Sequence, residues 1–115
     1  MSKIYYLSTC DTCKRIINQW NIDGVQLQDI KHELITEEQI EEMIALAGSA
    51  EALFSKRARK YKELGLKDKT LNDGDIRALI LEEYTFLKRP VLIHDGAIFI
   101  GNSPKAVTAA AAELA

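Results

Sequence analysis

The stretch from Ile4 to Asp29 constrains the topology of this chain more than any other. Ile4-Tyr5-Tyr6-Leu7 is a short apolar, β-rich run, as expected of a strand buried on both faces. Ser8 and Thr9 supply helix-start chemistry, after which Cys13, Ile16, Ile17 and Trp20 fall on one helical face. Beyond the Asp23-Gly24 turn, Val25-Gln26-Leu27-Gln28-Asp29 alternates with period two and predicts a second strand. Strand, short helix and strand make a βαβ unit, so the two strands should run parallel.

The other end of the chain carries the strongest short-range strand signal. Val91-Leu92-Ile93-His94 and Ala97-Ile98-Phe99-Ile100 flank Asp95-Gly96, the pattern of a hairpin with a two-residue turn. Pro104 then opens an alanine-rich helix with Val107, Ala111 and Leu114 on its buried side. Between the two ends the pattern is helical. Thr36-Glu37-Glu38-Gln39 is a capping box, Ile40, Met43, Ile44 and Ala47 follow with helical spacing, and Gly48 closes the helix. Further helical pieces are predicted over Ala50 to Lys62 and Asp73 to Leu87.

No repeat or linker divides the 115 residues, a length suited to one domain with its own core. The order βαβ, helical insertion at about 36–87, ββα predicts an α/β, thioredoxin-like four-stranded mixed sheet with helices on its faces.

A formal charge of -2 argues against binding nucleic acid by net attraction. No window approaches the run of about 20 apolar residues that a membrane helix needs, and the N-terminus lacks a signal-peptide pattern. The chain is therefore expected to be cytoplasmic, where structural disulfides tend to be reduced. No Gly-rich phosphate or dinucleotide motif follows any strand, so no bound cofactor is expected.

In that setting Cys10-Asp11-Thr12-Cys13 points to thiol chemistry. A sulfur attacks as thiolate, and a cysteine in the first turn of a helix meets unpaired N–H groups and the positive end of the helix dipole. Cys10 holds that position. Cys13 lies one turn on, within reach for a disulfide, which makes Cys10 the expected nucleophile and Cys13 the resolving thiol. Two bland readings compete: buried cysteines that merely pack, and half of a zinc site. The second lacks another cysteine pair, and His32 and His94 stand apart on different elements.

Leu87-Lys88-Arg89-Pro90-Val91 places an arginine before a proline that opens a strand. A cis proline facing the cysteine turn would aim Arg89 at the thiols, where its charge favours a thiolate or oxyanion. The alternative is a surface arginine at a strand entrance. Residues 56–62 hold five basic side chains in seven, ordinarily a solvated helix face. His94 is expected to pack or to cap the Asp95-Gly96 turn, His32 to be solvated, and Trp20 to be core.

Together these landmarks resemble the ArsC-type arsenate reductase and Spx family. The matching stretches are Tyr6 to Lys14, Asp29-Ile30-Lys31 with the Thr36-led helix, Ser55-Lys56-Arg57 followed by Tyr61 to Leu66, and Lys88-Arg89-Pro90-Val91-Leu92 leading to Ile100-Gly101. The resemblance implies a thioredoxin-like fold with a helical insertion. For the reductase branch it implies a catalytic Cys10, with Arg57 and Arg89 holding a small oxyanion or thiol substrate and Pro90 and Asn102 beside it. It also implies glutathione, glutaredoxin or thioredoxin as electron donor. A third arginine is expected soon after the glycine that ends the last strand, yet Gly101 is followed by Asn102-Ser103-Pro104. Asn102 carries no charge, which implies weaker oxyanion binding. Cys13 is the other departure from the single-cysteine reductases. It matches the Spx-like regulators, which dock on RNA polymerase and are switched by an internal disulfide.

Overall fold

In the computed structural model, which describes residues 2–115, the chain divides into two compact units. One comprises Met1–Glu33 with Arg89–Ala115, and the other Leu34–Lys88.

The first unit contains the sheet. Strands β1 (Ser2–Tyr6), β2 (Gln26–Asp29), β3 (Val91–His94) and β4 (Ala97–Ile100) lie in the order β2-β1-β3-β4. β1 and β2 are parallel, with Ile4 opposite Leu27 and Tyr6 opposite Asp29. β3 runs antiparallel to both β1 and β4, so the sheet is mixed as expected. Asp95 and Gly96 take positive φ, 47° and 84°, the requirement of a tight two-residue hairpin turn.

Helices α1 (Asp11–Gln19) and α5 (Pro104–Leu114) cover one face of this sheet. Ile4 and Leu92, opposite each other on β1 and β3, meet Ile16, Ile17, Trp20, Ala110 and Leu114 in one buried cluster. The Trp20 indole joins that core and donates from Nε1 to the Val107 carbonyl at 3.3 Å, tying the end of α1 to α5. Ser103 caps α5 by accepting from the Ala106 N–H at 3.2 Å.

The second unit is helical: α2 (Glu37–Ala47), α3 (Arg59–Glu63) and α4 (Asp73–Glu82), joined by single 3₁₀ turns. The Thr36–Gln39 capping box forms in both directions at 3.1 Å, and Gly48 ends α2 in the left-handed region at φ 91°. A second box, Asn72 with Asp75, starts α4.

Two predicted helices are shorter than expected. The piece from Ala50 to Lys62 is broken because Phe54 bridges Leu87 in antiparallel fashion. The Ser55 N–H donates to the Phe86 carbonyl at 2.6 Å and the Lys88 N–H to the Leu53 carbonyl at 2.8 Å. Backbone groups engaged in this bridge are lost to a helical ladder. The piece from Asp73 to Leu87 stops at Glu82 because Glu83 is extended and its carboxylate accepts from the Thr85 N–H and hydroxyl, starting a new turn. The Phe54 ring meets Phe86 at a tilt and Tyr61 edge-on, with centroids 5.3 and 5.8 Å away.

No helix among the described residues is long and apolar enough to cross a membrane.

Candidate active site

Because β1 and β2 are parallel, both end at the same margin of the sheet, the margin from which loops carry function in open α/β sheets. The chain leaving β1 turns back at once. The Cys10 N–H donates to the Leu7 carbonyl at 3.0 Å, and the Cys10 carbonyl accepts the first α1 hydrogen bond from Lys14 at 3.2 Å. Cys10 is therefore the N-cap residue itself, with φ -99° and ψ 110°, and no side chain caps the helix. Here the sequence expectation needs correcting: Ser8 and Thr9 do not cap α1, and the Ser8 N–H is bonded to Asp29 instead.

Both cysteines are free thiols, Cys10 half-buried and Cys13 buried. Their environments push them apart. Burial raises Cys10, but the Cys13 N–H and thiol, the Arg89 charge and the Thr12 N–H outweigh it, so Cys10 lies below the ordinary thiol value. Burial also raises Cys13, and the charge on Cys10 and the hydrogen bond to it add to that. A bond with the Leu7 backbone and the charge of Arg89 oppose them, leaving Cys13 pushed up to about 11. Of the two, the more accessible sulfur is thus the more readily ionised and the buried one keeps its proton more firmly.

Arg89 is half-buried and acts electrostatically on both sulfurs. Its peptide with Pro90 is cis, and Pro90 is buried. The Pro90 carbonyl accepts from the Gly101 N–H at 2.9 Å, which sets Gly101, at φ 87°, beside the start of β3. Asn102 follows in the exposed bend between β4 and α5. Arg57 belongs to the unit Leu34–Lys88, exposed in the turn that precedes α3.

Sequence reasoning missed the part played by Asp29. Its Oδ1 accepts from the Ser8 and Lys31 N–H groups, both at 3.2 Å, and its Oδ2 lies 2.6 Å from His32 Nδ1. His32 is exposed as expected, yet it is engaged with this carboxylate. The usable signal was an acidic residue closing a strand that runs parallel to the cysteine-bearing one. His94 is half-buried, and its Nε2 lies 3.4 Å from Asp95 Oδ2 at the hairpin turn. Among the described residues no group of three or more His, Cys, Asp or Glu side chains is placed to hold a metal ion.

Known proteins share this architecture. The chain is 23% identical over 109 residues to the protein YfgD of Escherichia coli, spanning 91% of this chain and 92% of that protein. Its fold superposes on an arsenate reductase from Vibrio cholerae with a TM-score of 0.78 at 21% identity, covering 94% of this chain and 95% of the other. An arsenate reductase (ArsC) related protein from Brucella melitensis gives a TM-score of 0.72 at 24% identity, covering 94% and 92%. These likenesses establish the fold as the thioredoxin-like α/β plan with a mixed sheet. The model of the ArsC family matches residues 5–110, nearly the whole chain from β1 to α5, and the chain therefore belongs to the ArsC family.

Proposed function

We propose that this protein is a thiol-dependent oxidoreductase of the arsenate-reductase type, with Cys10 as the attacking thiolate. The observation that carries the reading is the division of the cysteine pair into an accessible sulfur with a lowered pKa and a buried one with a raised pKa. Family membership and the resemblance to arsenate reductases support the same chemistry.

With an oxyanion such as arsenate, the Cys10 sulfur bonds to arsenic and one oxygen leaves as water after protonation. A second thiol then attacks the Cys10 sulfur. The S–As bond breaks with its electron pair going to arsenic, which is reduced by two electrons while two thiols are oxidised to a disulfide. Cys13 is the nearest resolving group, with glutathione, glutaredoxin or thioredoxin as the external donor class. Once Cys10 is covalently engaged its charge no longer opposes ionisation of Cys13, so capture of substrate lowers the barrier to resolution. Arg89 supplies positive charge to the entering oxyanion. Arg57 joins that role on the family resemblance alone, as does Asn102 in place of a third arginine.

The test is arsenate-dependent thiol oxidation by the purified protein, with Cys10→Ser and Cys13→Ser beside it. Turnover abolished by Cys10→Ser supports the assignment. Absence of turnover with arsenate removes that substrate, and absence of reaction with a low-molecular-weight disulfide as well removes the enzyme reading.

The direct Cys10–Cys13 hydrogen bond favours a second reading: an Spx-like regulator whose internal disulfide controls docking on RNA polymerase. Capture of purified polymerase by either the reduced or the oxidised protein, and a difference between them, supports it. Failure to bind in both states eliminates it.

A further inference from the structure

From these contacts we infer that Asp29 is a positioning residue for Cys10, its carboxylate orienting the Leu7–Ser8 peptide that fixes the cysteine turn. The inference rests on the reading of Cys10 as the reactive thiol.

The Ser8 N–H and the Leu7 carbonyl belong to one rigid peptide plane. Asp29 Oδ1 holds the N–H end at 3.2 Å, and the Cys10 N–H occupies the carbonyl end at 3.0 Å. The same Leu7 backbone reaches Cys13. One peptide plane and its neighbour thus meet both cysteines, and the plane's tilt is set by a carboxylate from the adjacent strand. Regular strand pairing ends one step earlier, where the Ile30 N–H donates to the Tyr6 carbonyl at 2.9 Å. Asp29 extends the tie past that point with a side chain, where no backbone ladder is available.

A carboxylate suits the position because every partner is a donor. The N–H groups of Ser8 and Lys31, the Ser8 hydroxyl and the His32 ring converge on its two oxygens. An amide has one acceptor oxygen, and its NH₂ would face a donor. The side chain is only 16% exposed, so bonds lost here are not freely replaced by water. Hydrogen bonding to the N–H end also polarises the peptide, strengthening its carbonyl as acceptor for Cys10.

The experiment is pH-dependent alkylation of the full chain with iodoacetamide, with Cys10 modification followed by peptide mass analysis. Asp29→Asn should raise the apparent pKa of Cys10 and slow its alkylation at neutral pH by roughly three- to tenfold. Ser8→Ala, which deletes one donor and keeps the backbone, should shift it less in the same direction and provides the readout if Asp29→Asn fails to fold. Arg77→Ala breaks the Glu41 ion pair in the helical unit; it should leave the Cys10 pKa unmoved while lowering thermal stability. A lowered wild-type pKa that neither Asp29→Asn nor Ser8→Ala displaces overturns this inference alone. A wild-type Cys10 that titrates like a free thiol overturns the functional reading and this inference with it. Alkylation needs no substrate, so failure of arsenate turnover leaves the outcome readable.

Discussion

The buried Cys13 thiol donates its hydrogen bond to the Cys10 sulfur from one turn further along α1, so two chemically identical side chains are shifted in opposite directions. Cys10 gains a donor from Cys13. Cys13, in turn, is kept protonated by its burial and by the charge it helps to stabilise.

Removing the donor should therefore be felt by the acceptor. Cys13→Ala is expected to raise the apparent pKa of Cys10 and slow its alkylation at neutral pH by about three- to tenfold, while Cys13→Ser, which keeps a donor, should cost less. Conversely, in the wild-type protein Cys13, with a pKa pushed up to about 11, should remain largely unmodified at pH 7. Site-resolved alkylation rates decide both points, and equal rates at the two cysteines would contradict the division.

Arg89 provides the fixed charge at the pair. Arg89→Met should raise the Cys10 pKa and slow thiolate reactions several-fold, and Arg89→Lys should recover part of the loss because it restores charge without the planar fork. Comparing alkylation of the two variants with and without sulfate separates the effect on the thiol from the effect on anion binding.

Asn102 allows the reciprocal experiment. Asn102→Arg is expected to tighten oxyanion binding by about tenfold, since a charge-assisted bond replaces a neutral one at an exposed position. Protection of Cys10 from alkylation by increasing sulfate gives the affinity, and unchanged protection would remove Asn102 from the substrate site.

The Asp29 carboxyl is held well below its usual range: burial raises it, but hydrogen bonds from Ser8, His32 and Lys31 more than offset that. A depressed folded-state pKa contributes stability that is complete above the unfolded value of about 3.9 and is lost as pH falls through the folded value. Thermal melts between about pH 5 and pH 2 should show the wild type losing stability more steeply than Asp29→Asn, which has no proton to gain there. Parallel acid limbs for the two proteins would contradict the assignment.

The core prediction is simpler. Leu92, on β3, is fully buried in the cluster it forms with residues of α1 and α5, and Leu92→Ala should destabilise the protein by about 2–5 kcal/mol in denaturant unfolding.

The elements that were legible in the sequence have local causes. The alternation over residues 25–29, the Asp95-Gly96 turn, the Thr36–Gln39 box and the spacing of Cys13, Ile16, Ile17 and Trp20 each specify structure within a few residues. With chain order they were enough to predict a parallel pair, a hairpin and a mixed sheet. The helix breaks at Phe54 and Glu83 were less legible. The first arises from a pairing with Leu87 across thirty-odd residues, the second from a carboxylate that turns back on its own backbone. The Cys-x-x-Cys spacing and its place after a strand marked Cys10 and Cys13 as the candidate thiol pair. Which sulfur is the more readily ionised, and which carboxylate meets the turn, depended on burial and on partners far off in the chain: Arg89 acting on Cys10, and Asp29 accepting from the Ser8 N–H. Local pattern sets backbone conformation because its energies act over neighbouring residues. A pKa or a clamped peptide plane is set by whatever the fold brings within hydrogen-bonding distance, and only the tertiary structure decides that.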